Sequence, residues 1–238
     1  MNLDSTTSCA AKLGSIQLDS AYLWLHTCPA LDEKDGHLLR GFFGRKYENY
    51  AAFHHHGENG LIYQHPLIQY KVVDGKGLLT GLGQGSYLIA SIKPPSQIQV
   101  NKRLVSVVRS ELNRNGCFLG ISNASKTFRF ISPWLGLNSR NKKEYDRLCS
   151  LNKSTDLLFS RILIGNLISL SKALRYNVTE RIKVSVNLSP AGIFTVKPGT
   201  ELLGFTGEFS TNFEIPDYWG IGKSSSRGFG AIETVNAQ

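Results

Sequence analysis

The 238-residue sequence predicts an α+β fold built as two successive units. Strand-like runs and amphipathic helical stretches alternate twice along the chain, glycine is plentiful at 23 residues against 8 prolines, and hydrophobic residues make up 41 %, enough for an ordinary core. The length suits one large domain or two small ones of roughly 100–130 residues each.

The elements follow in order. Residues 14–26 read as a first strand, rich in aromatic and apolar positions. Residues 37–50 read as a helix, interrupted by Gly41 and Gly44, and 53–60 as a polar loop with three histidines. Residues 61–82 hold two strands around Asp74-Gly75, a dipeptide that supports the positive φ angles of a tight hairpin. A helix over 83–92 and a strand over 98–112 complete βαββαβ. The second unit opens with two short runs in 117–133 around an Asn123–Lys126 turn, then a short charged helix over 141–151. Ser154, Thr155 and Asp156 supply capping residues for a helix over 156–176. Its apolar stripe is Leu157, Leu158, Ile162, Leu163, Leu167, Leu170 and Leu174, with Arg161, Lys172 and Arg175 off it. Strands are expected over 181–189, 192–197, 201–210 and 212–215. The reading is therefore two tandem ferredoxin-like (RRM-like, βαββαβ) modules. Residues 1–115 carry the histidine loop and residues 116–238 carry a C-terminal glycine-rich loop. No Pro/Ser-rich linker separates them, so the halves should pack together.

The net charge is +9, and it is concentrated: residues 101–175 contain fourteen Lys and Arg against four Asp and Glu. A local basic excess implies a face for a polyanion, nucleic acid or an anionic membrane surface. The longest apolar stretch, 157–174, is broken by Ser160, Arg161, Asn166, Ser169 and Lys172 and does not read as a membrane span. The first residues lack the basic and apolar segments of a secretory signal, and Cys9, Cys28, Cys117 and Cys149 form no CxxC pair. A cytoplasmic protein using its cysteines as small hydrophobes is expected.

The sharpest motif runs from Gly220 to Gly230: two Gly-hydrophobic-Gly triplets, Gly220-Ile221-Gly222 and Gly228-Phe229-Gly230, flank five polar residues that include Lys223 and Arg227. Glycine lets backbone approach a ligand closely, and successive N–H groups with two cations suit a phosphate. A plain architectural turn explains the pattern equally well. The order GxxxxGK[ST] is missing, which excludes a P-loop.

Together with Phe205-Thr206-Gly207-Glu208-Phe209 and Asn212-Phe213-Glu214-Ile215-Pro216-Asp217-Tyr218, this run resembles the C-terminal end of the CRISPR-associated (Cas) endoribonuclease family six. Leu39-Arg40-Gly41, Phe53-His54-His55-His56, Tyr63, His65-Pro66-Leu67-Ile68-Gln69-Tyr70-Lys71 and Leu163-Ile164-Gly165-Asn166-Leu167 look like its b subtype. The resemblance spans about residues 15–235. It implies tandem ferredoxin-like modules that cut precursor CRISPR RNA within each repeat, with repeat RNA as partner and other Cas subunits of an interference or transposition complex as further partners. The family pattern leads one to expect a His-x-His pair with a small or polar middle residue, whereas here the three histidines are contiguous.

The chemistry is consistent with this reading. RNA carries its own nucleophile, the 2′-hydroxyl, so cleavage needs alignment, a base, an acid and charge stabilisation, and no cofactor. Residues two apart in an extended loop point the same way, so His54 and His56 are the expected pair of proton-transfer groups. Lys46, Tyr47 and Lys71 are expected to orient the hydroxyl or stabilise phosphorane charge, with Tyr63 a weaker candidate. Backbone contacts are expected from Lys102, Arg103, Arg109, Arg129, Arg140, Lys142, Lys143 and Arg147, and from Lys223 and Arg227 of the tail. No metal is expected. Two competing readings are a non-catalytic RNA-binding subunit of an interference complex and a metal-dependent protein built on the histidine run. Retention of the histidine pair argues against the former, and insensitivity to EDTA would argue against the latter.

Overall fold

The computed structural model describes residues 14–50, 56–57, 60–61 and 65–235, of which 56–57 and 60–61 are described by backbone alone. The N-terminal module is built as β1 (Ser15–Cys28), α1 (Gly36–Lys46), β2 (His56–Gly57), β3 (Gly60–Leu61), β4 (Ile68–Val73), β5 (Lys76–Leu82), α2 (Gln84–Ser91), β6 (Gln97–Val100) and β7 (Arg103–Phe130). The C-terminal module adds α3 (Ser139–Ser150), α4 (Asp156–Ala173), β8 (Val184–Lys197), β9 (Thr200–Glu214) and β10 (Ile232–Thr234). β2 and β3 pair only with each other, His56 opposite Leu61.

One antiparallel sheet runs β4-β5-β1-β7-β9-β8, and β6 and β10 also pair with β7. Within it the ferredoxin-like order occurs twice. In the first module the strands lie β7-β1-β5-β4, and in the second β10-β7-β9-β8. β7 is shared: its first half closes one module and its second half opens the other. The expected junction at 113–117 thus lies inside a continuous strand that pairs residue for residue with β1, as in Leu23↔Leu112 and Asp19↔Gly116. The Asn123–Lys126 turn is corrected to a bulge. The register against β9 slips between Ile121 and Lys126, but the strand runs on.

Local signals explain the element ends. Asp74 and Gly75 both have positive φ, 48° and 74°, and close the two-residue β4–β5 hairpin. α1 stops at Lys46, short of the expected residue 50. Ala21, Leu23 and Leu25 alternate into one core cluster with Leu39 and Phe43 of α1 and Ile89 of α2. The second cluster packs α4 through Leu158, Leu163, Leu167 and Leu170 against Phe128, Phe130, Phe205 and Phe209. Trp134 stacks there on Phe130 at 5.8 Å, and its indole N–H donates to the Asn166 side-chain oxygen at 3.1 Å. Cys28 and Cys149 are exposed, against the expectation that they fill the core. Among the described residues no helix is long and apolar enough to cross a membrane.

α2 packs backbone-to-backbone on the start of β4: a Cβ on Gly85 would sit 2.0 Å from the Leu67 carbonyl oxygen. Gly165, exposed on α4, would meet nothing within 4 Å. Gly85→Ala is therefore expected to lower unfolding stability by about 1–3 kcal/mol, and Gly165→Ala to raise it by about 0.5–1 kcal/mol. Urea denaturation midpoints of the two variants check both signs.

Candidate functional site

Between β9 and β10 the chain forms no helix longer than one 3-10 turn, Ser225–Arg227. The glycine-rich tail occupies this place and is bound on both sides. Gln69 on β4 brackets it: the Gly220 N–H donates to the Gln69 side-chain oxygen at 2.7 Å, and the Gln69 amide N–H donates back to the Gly220 carbonyl at 2.9 Å. The Ile221 N–H bonds the Gly230 carbonyl at 3.0 Å, the Gly230 N–H bonds Pro133 at 2.9 Å, and the Lys223 N–H bonds Leu135 at 3.0 Å. Glycine is required here. A Cβ on Gly230 would lie 2.0 Å from the Ile221 carbonyl oxygen, and one on Gly222 would lie 2.7 Å from the Trp134 indole nitrogen.

Buried polar groups surround the bracket. The Trp219 indole N–H donates to His65 Nε2 at 3.0 Å, so that nitrogen carries no proton. Lys71 Nζ donates to the Gln69 side-chain oxygen at 2.7 Å and lies 6.0 Å from the Trp219 ring centroid. At 1 % exposure Lys71 is enclosed, and burial holds its pKa well below the ordinary lysine value.

This placement corrects one expectation. Tyr70 and Tyr47 both stack on Phe43, on the helix side of the sheet, and strand alternation puts Lys71 on the other side. The sheet separates Lys71 from Tyr47, so the two do not meet at one phosphate. Tyr47 caps α1, and its hydroxyl donates to the Lys93 carbonyl at 3.1 Å, while Lys46, one residue earlier, is exposed. His54 and Tyr63 lie outside the described residues, and His56 is described only by its backbone in β2.

The tail instead creates a basic groove against α1. A Cβ on Gly36 would be 3.1 Å from the Arg227 carbonyl oxygen, so the helix start touches the tail directly. From there a cleft of about 660 Å³ is lined by His37, Arg40, Gly41, Gly44, Arg45, Glu48 and Arg227, three arginines against one carboxylate. Burial, and then repulsion from Arg227, lower the Arg40 pKa from its ordinary value. Arg227 is anchored by a 2.7 Å bond from Nη1 to the Val196 carbonyl. Arg103, expected to touch RNA, reaches the same end of α1 through Asp35 at 3.4 Å. Lys223 faces a different cleft, of about 400 Å³, with Arg161 and Gly165 of α4 and Asn141 of α3. Five residues of tail, 223–227, thus carry one cation to each module.

The other expected contacts are dispersed. Arg109 pairs with Glu111, Arg129 with Glu208, Lys142 with Asp146, and Arg147 with Glu144, all on exposed surface. Arg140, Lys143 and Lys102 are exposed. The sequence reading missed His37, Arg40, Arg45 and Arg161. Its available signal was the helical face of α1, where His37, Arg40, Gly41, Gly44 and Arg45 fall three to four apart opposite Leu39 and Phe43.

A doubled ferredoxin-like sheet, with a glycine-rich tail that draws cations of both modules to their junction, defines the tandem ferredoxin-like class of basic proteins. Residues 16–117 match the family model of the Cas6b N-terminal domain, and residues 120–235 match that of the Cas6b C-terminal domain. The crystal structure of a Cas6b superposes with a TM-score of 0.84 at 31 % identity, over 92 % of this chain and 100 % of that one. Another, of a CRISPR RNA processing endoribonuclease Cas6b, gives 0.71 at 28 % over 92 % and 100 %. An uncharacterized protein of Methanocaldococcus jannaschii, MJ0978, is 42 % identical over 117 residues, 49 % of this chain and 77 % of its own length. The chain belongs to the Cas6b family.

The enclosed lysine generates a pH prediction. Between its lowered folded pKa and the unfolded value near 10.5, the unfolded state binds the extra proton, so wild-type stability rises with pH by up to about 1.4 kcal/mol per unit. Lys71→Met lacks that dependence. Denaturant unfolding at pH 7, 8 and 9.5 should show the variant's stability falling behind the wild type's as pH rises. A constant difference would mean the ammonium stays charged in the fold.

Proposed function

We propose that the protein binds CRISPR repeat RNA and cleaves the precursor without a metal, by attack of the 2′-hydroxyl on the adjacent phosphate. The observation that carries this reading is the basic cleft between α1 and the tail; in the sequence His54 follows Tyr47, at the end of α1, by seven residues. His54 and His56 act as base and acid, exposed Lys46 at the end of α1 steadies the phosphate, and Tyr47 joins it when its hydroxyl turns from the Lys93 carbonyl. Arg40, Arg45 and Arg227 hold the flanking phosphates. Gly41 and Gly44 leave the helix surface bare between them, so a sugar-phosphate backbone can approach. The similarity to a Cas6b that is a CRISPR RNA processing endoribonuclease supports the same substrate class. Products would be a 2′,3′-cyclic phosphate and a 5′-hydroxyl.

Alignment of an internal nucleophile accounts for about 7–11 kcal/mol of barrier in favourable cases, and each proton-transfer group adds roughly 10²–10⁴-fold. Assembly with other Cas subunits of an interference or transposition complex belongs to this reading as the use made of the product.

Incubation with the organism's own repeat RNA in EDTA should yield cleavage at the untreated rate, and a 2′-deoxy substitution at the cut site should abolish it. His54→Ala and His56→Ala should each slow single-turnover cleavage about 10²-fold or more. Arg227→Ala should weaken binding and lower its salt dependence by about one phosphate contact. Loss of activity in EDTA would contradict the mechanism, and wild-type rates in both histidine variants would contradict the site.

A further inference from the structure

A second concave surface lies on the opposite face of the sheet from α1. Along β1, Ala21, Leu23 and Leu25 point into the core with α1, so Tyr22 and Trp24 project from the other face. They line a cavity of about 650 Å³ together with Asn113, Asn115, Cys117 and Tyr218. Asn113 stands directly across from Tyr22 in the register, and Asn115 across from Ser20. Tyr218 meets Trp24 edge-to-face at 5.4 Å and 87°, and Tyr22 at 6.2 Å and 75°. The three rings are therefore not stacked on one another, and none is fully buried.

Tyr218 is held at a cost. Its φ of +60° is a left-handed conformation that a bulky side chain rarely adopts. Its N–H donates to the Ile232 carbonyl at 2.7 Å. The neighbouring Asp217 carboxylate accepts from both the N–H and the hydroxyl of Thr234 at 2.7 Å. The strained residue is thus fixed by β10, and its ring is fixed against the two rings of β1.

We propose that this cavity is a stacking subsite for an unpaired nucleobase of the bound RNA. Flat, half-exposed rings on a sheet face offer sequence-tolerant stacking, and side-chain amides offer both a donor and an acceptor to a base edge. The volume falls within the ordinary range of small-ligand pockets. The Asp217 carboxylate, held by the neutral donors of Thr234, keeps its charge at the cavity wall, and Arg114 in the same lining brings a cation to it. The surface lies across the sheet from the α1 cleft, so the base bound here belongs to a part of the RNA away from the cut. The natural ligand rests on the ribonuclease reading, but the subsite can be tested without cleavage.

Trp24 is the reporter: of the three tryptophans, Trp134 and Trp219 are at 0 % and 1 % exposure, leaving Trp24 to respond to a stacked base. The probes are single-stranded hexaribonucleotides of A, U, C and G, and an RNA duplex. At least one hexamer should quench tryptophan fluorescence, and the duplex should not. Tyr218→Ala should weaken that hexamer about 5- to 100-fold, with Tyr218→Phe restoring it, and Asn113→Ala, an exposed change without folding risk, should alter the preference among the four. Absence of quenching by every hexamer, or unchanged binding in both Tyr218→Ala and Asn113→Ala, overturns the subsite. Wild-type protein that cuts repeat RNA without hexamer quenching sinks the subsite alone. Hexamer quenching without repeat cleavage sinks the ribonuclease reading alone.

Discussion

Everything the molecule presents to a ligand at the module junction depends on one buried amide. Gln69 is at 0 % exposure, and all four of its hydrogen-bonding positions are used. Its oxygen accepts from the Gly220 N–H and from Lys71, and its nitrogen donates to the Gly220 carbonyl and shares the single lone pair of His65 Nε2 with the Trp219 indole N–H. The partners lie 151 residues apart, so this clasp is a long-range contact that fixes the C-terminal tail on the first module's sheet. Each bond contributes about 1 kcal/mol net, but losing a partner leaves a buried group unsatisfied at about 1–3 kcal/mol. The clasp is therefore costly to open: the Gly220 N–H and carbonyl and the Trp219 indole N–H lose their buried partners when the tail leaves, and Gln69 loses two of its own.

From that attachment the functional geometry follows. The tail leaves Gly220, passes beneath Trp134 at Gly222, turns once through Ser225–Arg227, and returns at Gly230. Lys223 falls on the cleft of α3 and α4, and Arg227 falls on α1. A polyanion crossing the junction would meet cations from both halves, which no single helix or strand among the described residues provides. The glycines serve the close approach of backbone to backbone, while the two basic side chains between them line the two clefts.

Much of the fold was legible in the sequence because its signals are local. Asp74-Gly75 demands a tight hairpin, the α4 stripe repeats every three to four residues, and the alternation of β1 separates its two faces. What the sequence hid is long-range. β7 reads as two strands because Asn113, Asn115, Gly116 and Asn123 look like turn residues; pairing with β1 holds the first three extended, and Asn123 falls in the bulge against β9. Lys71 reads as a surface cation, since nothing nearby in the chain shows that Trp219 and Gly220 will close over it. The expected glycine-loop cations do reach two clefts, whereas most of the dispersed arginines and lysines sit in exposed pairs that contribute little to stability. Arg40 and Arg45 went unnoticed because their partner, Arg227, is almost two hundred residues away.

On the proposed reading, two surfaces of the first module meet the RNA with different chemistry. α1 with Arg227 of the tail offers charge at one site, and Tyr22, Trp24 and Tyr218 offer ring surface on the sheet face away from α1. The account rests on the tail being a locked part of the sheet rather than a mobile flap. Amide hydrogen exchange of the intact protein tests this most directly. The Gly220, Ile221 and Gly230 N–H groups should exchange as slowly as those of central β1, through global unfolding alone. Exchange at the rate of an exposed loop, with β1 still protected, would contradict it.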